Sequence, residues 1–357
     1  MVRNYLKVFG VGLLLTVSIV CMVQFKQQHS AKETLREEGI RYYRMARYED
    51  AADCFSLALK QQELFTEESD RDIYYYLADG EMKQEDYASA ITYYEKLVQL
   101  KEESVDLYAN MGICYEQLDK AEQAYSCFKQ AVALEDSNGD IYSHLSQVCN
   151  KLGKTEECQE YAQKGYDCVK KQLSKNVTAL LSGGQANSLT TGERRDLNQC
   201  GQLAYFSGNY QEAYQYYEIL YQSGDSSAAL YMGHCLAEAG EYERAMELLN
   251  AYKETDGDNP LADAKIVYCY MQLGQYEEAL ALVDEALNQE GQTLQQELLY
   301  EKGVALERKG EFDSAFDCFA QYVEQYPGEE KGKREYDFLV TRISDEKAAV
   351  AGVDNGN

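Results

Sequence analysis

The chain is poor in proline, with two in 357 residues, and in histidine, with three. Proline ends helices by clashing and by lacking an N–H, so its scarcity suits long, nearly uninterrupted helical stretches. Basic residues are also short: 34 Lys and Arg stand against 61 Asp and Glu, a formal net charge of −27. Nucleic acid is excluded as a partner on this ground, because phosphate binding needs Lys and Arg to release counterions. The acidic excess reads as a solvated outer surface. No CxxC occurs and no Cys/His spacing fits a metal site, so no metal is called for. Glycine-rich phosphate loops are missing too, and no cofactor is implied. Gly183, Gly184 and Gly192 sit in a Ser/Thr/Asn-rich stretch that reads as a linker.

What is present is repetition. A small residue is followed at fixed intervals by a Tyr, an aromatic, an Ala, a large apolar residue and a small one. The first copy is Gly39, Tyr42, Tyr48, Ala51, Phe55, Ala58. The sixth is Gly233, Leu236, Tyr242, Ala245, Leu249, Tyr252. The eight leading residues are Gly39, Ala78, Gly112, Ser146, Gly201, Gly233, Val267 and Gly303. They are 39, 34, 34, 55, 32, 34 and 36 residues apart. Each unit reads as two helices, the first copy with helix A over about 32–45 and helix B over about 49–60. The small positions are where the two helices approach. Gly153, Gly208, Gly240, Gly274 and Gly310 fall at the turn between them, where a left-handed residue ends helix A. One such pair cannot bury its apolar stripe alone, so neighbours stack and share a core.

A period near 34 with this signature resembles the tetratricopeptide repeat over about 32–328. The resemblance implies an all-α fold: an α-solenoid of about eight helix-turn-helix repeats. Tryptophan, absent from the whole chain, is replaced at the early bulky position by Tyr74, Tyr108 and Tyr142. The fourth copy is degenerate, and Lys302 stands where an apolar residue is expected. The organisation reads as an N-terminal segment over 1–31, four repeats over 32–172, a linker or insertion over 173–193, and four repeats over 194–328. A cap helix follows over 329–347, then an unstructured tail over 348–357.

Residues 1–31 lie outside the repeats. Arg3 and Lys7 precede Val8–Phe25, eighteen residues without a charge. That is near the lower limit for crossing a bilayer. The stretch, within residues 5–25, reads as an uncleaved signal-anchor helix. A cleaved or lipidated form at Cys21 is the alternative, although Val20 is large for a lipoprotein signal. The short basic terminus favours the repeats on the extracytoplasmic side. Lys26, Lys32 and Arg36 on the other flank leave the cytoplasmic side open.

Ten cysteines lie beyond this segment, recurring at repeat positions normally held by small apolar residues. Cys114, Cys235 and Cys269 share a helix A position, and Cys54, Cys127 and Cys318 share a helix B position. This is packing, not a disulfide framework. The one chemical constellation is His234 with Cys235 or Cys269, a conceivable nucleophile pair lacking an orienting third group.

The resemblance implies that helix A residues line a concave groove. There the candidates are Tyr75 and Tyr76 in the first half, and Tyr205, Phe206, Tyr231, His234, Tyr268, Met271 and Tyr300 in the second, with Leu230 among their neighbours. Amphipathic rings are common binding anchors. Family members that clamp a C-terminal carboxylate use Lys and Asn at groove positions. Here those positions hold Arg36, Ile40, Tyr76, Asp106 and Asn110, so an apolar or aromatic-rich segment is preferred as partner. The functional reading is a non-catalytic, membrane-anchored scaffold binding a protein or peptide. A peptide sensor similar to bacterial pheromone receptors and a thiol enzyme are the alternatives.

Overall fold

The computed structural model describes residues 26–27, 29–61, 67–183, 189–288 and 294–354. Among these residues there are helices and no strands. The Val8–Phe25 stretch and Cys21 lie outside them. No helix among the described residues is long and apolar enough to cross a membrane.

The chain divides into two compact units, residues 1–165 and 166–357. In the first, helix A and helix B partners alternate as α1 (29–44) and α2 (Tyr48–Leu59), α3 (Glu67–Lys83) and α4 (Tyr87–Gln99), and α5 (Val105–Gln117) and α6 (Ala121–Leu134). The fourth pair is α7 (Gly139–Lys151) and α8 (Thr155–Lys170). The second unit begins inside α8 and continues with α9 (Lys175–Leu181), then α10 (Thr191–Phe206) and α11 (Tyr210–Gln222). It goes on through α12 (Ala228–Glu238) and α13 (Tyr242–Asp256), α14 (Pro260–Gln272) and α15 (Tyr276–Leu287), and α16 (Gln295–Lys309) and α17 (Phe312–Gln325). It closes with α18 (Glu330–Asp354). All eight helix pairs fall in the register the sequence pattern set. The two prolines sit where a helix tolerates them: Pro260 opens α14 behind an Asn259 cap, and Pro327 follows α17.

The small leading residue proves to be a seat for a large one within the same repeat. A methyl group added at Gly39 would come within 2.6 Å of the Phe55 ring, and one at Gly112 within 2.6 Å of Phe128. The large residue is buried: Phe55 is 1% exposed, and Phe128 and Phe319 are fully covered. Phe55 also closes the interface to the following repeat by stacking on Tyr76 at 5.5 Å, and Phe128 does so on His144 at 5.3 Å.

The turn between the helices is left-handed in every repeat. Gly153, Gly208, Gly240, Gly274 and Gly310 hold it with φ between 67° and 84°. The first three repeats use Ala46, Glu85 and Asp119 there instead, at φ 57°, 62° and 58°. An L-residue in that region is strained, so the surrounding pair of helices imposes the turn.

Two elements differ from expectation. Part of the 173–193 interruption is a helix: α9 is capped by Ser174, buries Val177 and Leu180, and packs beside α11. The terminal helix α18 runs on to Asp354, past the expected end at 347, through a run of good helix formers such as Glu346, Lys347 and Ala348. Lys302 does not disturb its repeat. It stays half-buried and reaches Asp284 at 2.7 Å, keeping its ammonium out of the core.

Candidate functional site

Of the nine groove candidates none is fully buried, yet most also support the core. In the first unit Tyr75 donates or accepts a 2.9 Å hydrogen bond with Ser104, the N-cap of α5. Tyr76 is held between Phe55 and Tyr43, the latter ring 5.1 Å away and edge-on. Polar contacts join α1 to α3 around these rings: Lys32 to Asp70 at 2.7 Å, Arg36 Nε to Asp72 at 2.7 Å, and Tyr43 to Asp79.

In the second unit three successive A helices bring a polar and aromatic cluster together. Tyr205, at the end of α10, packs edge-on against Phe206 and Tyr210 at 5.6 and 5.5 Å. Its hydroxyl lies 3.5 Å from Glu238 at the end of α12. Glu238 also accepts from Lys265 of α14 at 2.8 Å, and the Lys265 ammonium lies over the Tyr268 ring, 5.0 Å from its centre. Tyr231 stacks on the buried Tyr217 at 5.0 Å and remains 40% exposed, the most open ring of the set. His234 lies edge-on to it at 6.4 Å. Met271 packs against the core between α14 and α15. Tyr300 is held by Phe319 and Tyr322, with Lys331 over its face at 4.7 Å.

Leu230 does not belong to this surface. It is 4% exposed and packs into the cluster of Leu249, Tyr252 and Ile266. The position three residues before the small leading residue therefore turns inward in α12, although the same position in α16 leaves Tyr300 half-open. Glu238 and Lys265 were not singled out by sequence reasoning. Their signal was their register, thirteen and six residues into successive units, where each charge taken alone reads as a solvated one.

The electrostatics weigh against thiol chemistry. Burial pushes Cys235 up to about 12 and Cys269 up to about 11. Burial, reinforced by the Lys265 ammonium, holds His234 down at about 3. Its Nε2 is buried without a hydrogen-bond partner among the described residues. A nucleophilic pair needs a thiolate and a base ready to take its proton. Here neither group is in that state near neutral pH. Of the ten cysteines among the described residues, eight are buried. Burial also raises Tyr268 to about 12, with Glu238 adding to it, and raises Tyr205 for the same two reasons. Both phenols are therefore neutral hydrogen-bonding groups, suited to recognition.

Residues 36–105 and 268–330 match the tetratricopeptide repeat, and residues 105–138 match it in a second form. These are tetratricopeptide repeats. Residues 207–286 match subunit 3 of the anaphase-promoting complex, or cyclosome. No curated protein matches the sequence. Among solved structures, a tetratricopeptide repeat protein from Parabacteroides merdae aligns over 87% of this chain and 99% of its own, at 14% identity and a TM-score of 0.49. The tetratricopeptide domain of P58(IPK) aligns over 78% of this chain and 79% of its own, at 17% identity and a TM-score of 0.31. The TPR2AB domain of yeast Sti1, solved with pHSP90, aligns over 78% of this chain and 99% of its own, at 14% identity and a TM-score of 0.30. Tetratricopeptide repeats generally mediate protein–protein interaction, and stacked repeats offer extended concave surfaces for it.

Proposed function

We propose that this chain is a non-catalytic scaffold, anchored in a membrane by Val8–Phe25, whose A helices between α10 and α16 bind an apolar or aromatic-rich segment of a partner protein. The observation that supports it is Tyr231. Its ring is stacked in place on Tyr217 yet 40% exposed, so it is rigid and available together. A preorganised ring loses little entropy on binding, which makes it an efficient anchor. Tyr268 and Tyr205 sit on the helices to either side, half-exposed and fixed by Lys265 and Glu238. The Glu238–Lys265 pair is internally neutralised, so this face asks for no net charge from its occupant.

Replacing Tyr231 and Tyr268 together with Ala removes two anchors of about 1–2 kcal/mol each. Partner affinity, read by titration after the partner is recovered from mild-detergent membranes, falls at least about tenfold while helicity is retained. Unchanged affinity in a folded double variant refutes the site. Carbonate extraction of the full chain tests the anchor separately, since release into the soluble fraction refutes it.

A further inference from the structure

A local excess of basic residues stands near one end of this acidic chain. From Lys26 to Arg47 there are six Lys or Arg against three acidic residues, whereas the whole chain has 34 against 61. Their side chains divide into two groups. Lys32 and Arg36 are committed inward, to Asp70 and Asp72 of α3, and Lys32 is 1% exposed. Arg41, Arg44 and Arg47 are exposed. Among the described residues Arg41 and Arg47 form ion pairs only with close neighbours in sequence, Glu38 at 2.9 Å and Asp50 at 2.7 Å, and both lie over the Tyr42 ring. Exposed pairs of this kind contribute little and exchange readily for other anions.

The same edge is partly apolar. Glu37, Ile40, Arg41 and Arg44 follow the spacing of one helical stripe on α1, and with Met45 of the following turn they line a shallow hollow of about 400 Å³. Met45 is 60% exposed, the most open large apolar side chain among the described residues. Position adds the last observation. α1 is the first helix of the array, and Lys26 directly follows the uncharged Val8–Phe25 stretch.

We propose that this edge of the first repeat rests on an anionic bilayer surface, with Arg41, Arg44 and Arg47 on lipid phosphates and Met45 in the headgroup layer. The contact rests on the reading of Val8–Phe25 as an anchor, which holds α1 near the surface. Attraction of Lys and Arg to anionic lipid fades within a Debye length, about 8 Å at physiological salt, so only residues at the anchored edge take part. The acid-rich remainder of the chain is repelled by the same surface. Attraction at one edge and repulsion elsewhere give the first unit a preferred orientation with its acidic repeats turned away from the lipid.

The absence of tryptophan supplies the test, because Met45→Trp places a single indole in the full chain. The variant is reconstituted into phosphatidylcholine vesicles with brominated acyl chains, with or without about 30% phosphatidylserine. Quenching of the residue 45 indole is expected to be at least about twofold stronger in the anionic vesicles. It returns to the zwitterionic level in about 0.5 M salt and when Arg41, Arg44 and Arg47 are changed to Glu. An Arg→Gln triple variant, checked by circular dichroism, loses part of the effect and guards against unfolding. Equal quenching in both vesicles, or quenching indifferent to charge reversal, overturns the contact. Flotation of the same samples reads the anchor apart from the edge. Protein that floats only with anionic vesicles refutes the anchor and keeps the contact, and protein that floats with neither refutes both.

Discussion

The pairing of a small residue in helix A with a large one in helix B makes a sharp energetic prediction at Gly303. A methyl group there would lie 2.6, 2.7 and 3.0 Å from Cζ, Cε2 and Cδ2 of Phe319, where ordinary contact begins at 3.4 Å. The ring must retreat by about 0.8 Å. It has nowhere to go, being fully covered and wedged among Leu299, Leu306, Ala315, Tyr322 and Leu339. Overpacking of this kind costs about 1–3 kcal/mol. Against it stands the gain of about 1 kcal/mol from replacing a mid-helix glycine by alanine. Gly303→Ala should therefore be destabilising by about 0–2 kcal/mol. Gly192, inside α10 with nothing within 4 Å of an added methyl, is the control and should gain up to about 1 kcal/mol. Urea melts followed by far-ultraviolet circular dichroism give both values, provided the slopes agree. A stricter version copies the seventh repeat, which holds Val267 over Val283. The double change Gly303→Val with Phe319→Val should be less destabilising than the sum of the two single changes by at least about 1 kcal/mol. Additive single effects, or a Gly303→Ala variant as stable as Gly192→Ala, would show that the two positions do not share one space.

Two further outcomes follow from the turns and caps. Changing Ala46, Glu85 or Asp119 to Gly relieves a left-handed L-residue and should raise stability by about 0.5–1 kcal/mol each, measured as a urea midpoint shift; a loss at all three would mean the turns are not strained. Glu193 closes a capping box with Thr190 and also accepts from Asn176 and Ser174, and the Thr190 backbone N–H foremost holds it down at about 2, from 4.5. A depressed carboxyl contributes stability that is fully present above 4.5 and lost as pH falls toward 2, so wild type and Glu193→Gln should differ most at pH 7 and converge near pH 2.5. A gap that stays constant across that range would refute the cap's role.

The architecture was legible because its causes repeat. A glycine that seats a ring, or that ends a helix left-handed, leaves the same mark at the same interval. Eight imperfect copies then outvote any one of them. What the pattern does not mark stayed hidden. Ala46, Glu85 and Asp119 adopt the left-handed turn without glycine, so only their register betrays them. The helix within 173–193 is seven residues long and rests on Val177 and Leu180, too short a stripe to show periodicity.

The binding face is harder still, for a reason specific to stacked helices. A groove residue on one repeat touches the neighbouring repeat as readily as it touches solvent. Tyr76 and Tyr231 occupy the same register, six residues into their units, and both stack on the ring that seats over the preceding small residue: Phe55 and Tyr217. Yet Tyr231 is 40% exposed while Tyr76 stays half-buried, because Tyr43 of the preceding repeat closes edge-on over Tyr76 at 5.1 Å, whereas its counterpart before Tyr231, Tyr205, packs on Phe206 and Tyr210 instead. Exposure at that register is thus decided by a residue of the preceding repeat, not by the tyrosine itself. The same holds for charge. Glu238 and Lys265 are each ordinary surface residues in sequence, and become one neutral bridge only when α12 and α14 stand side by side. A groove in such an array is a property of pairs between repeats, and a single repeat's sequence names only half of each pair.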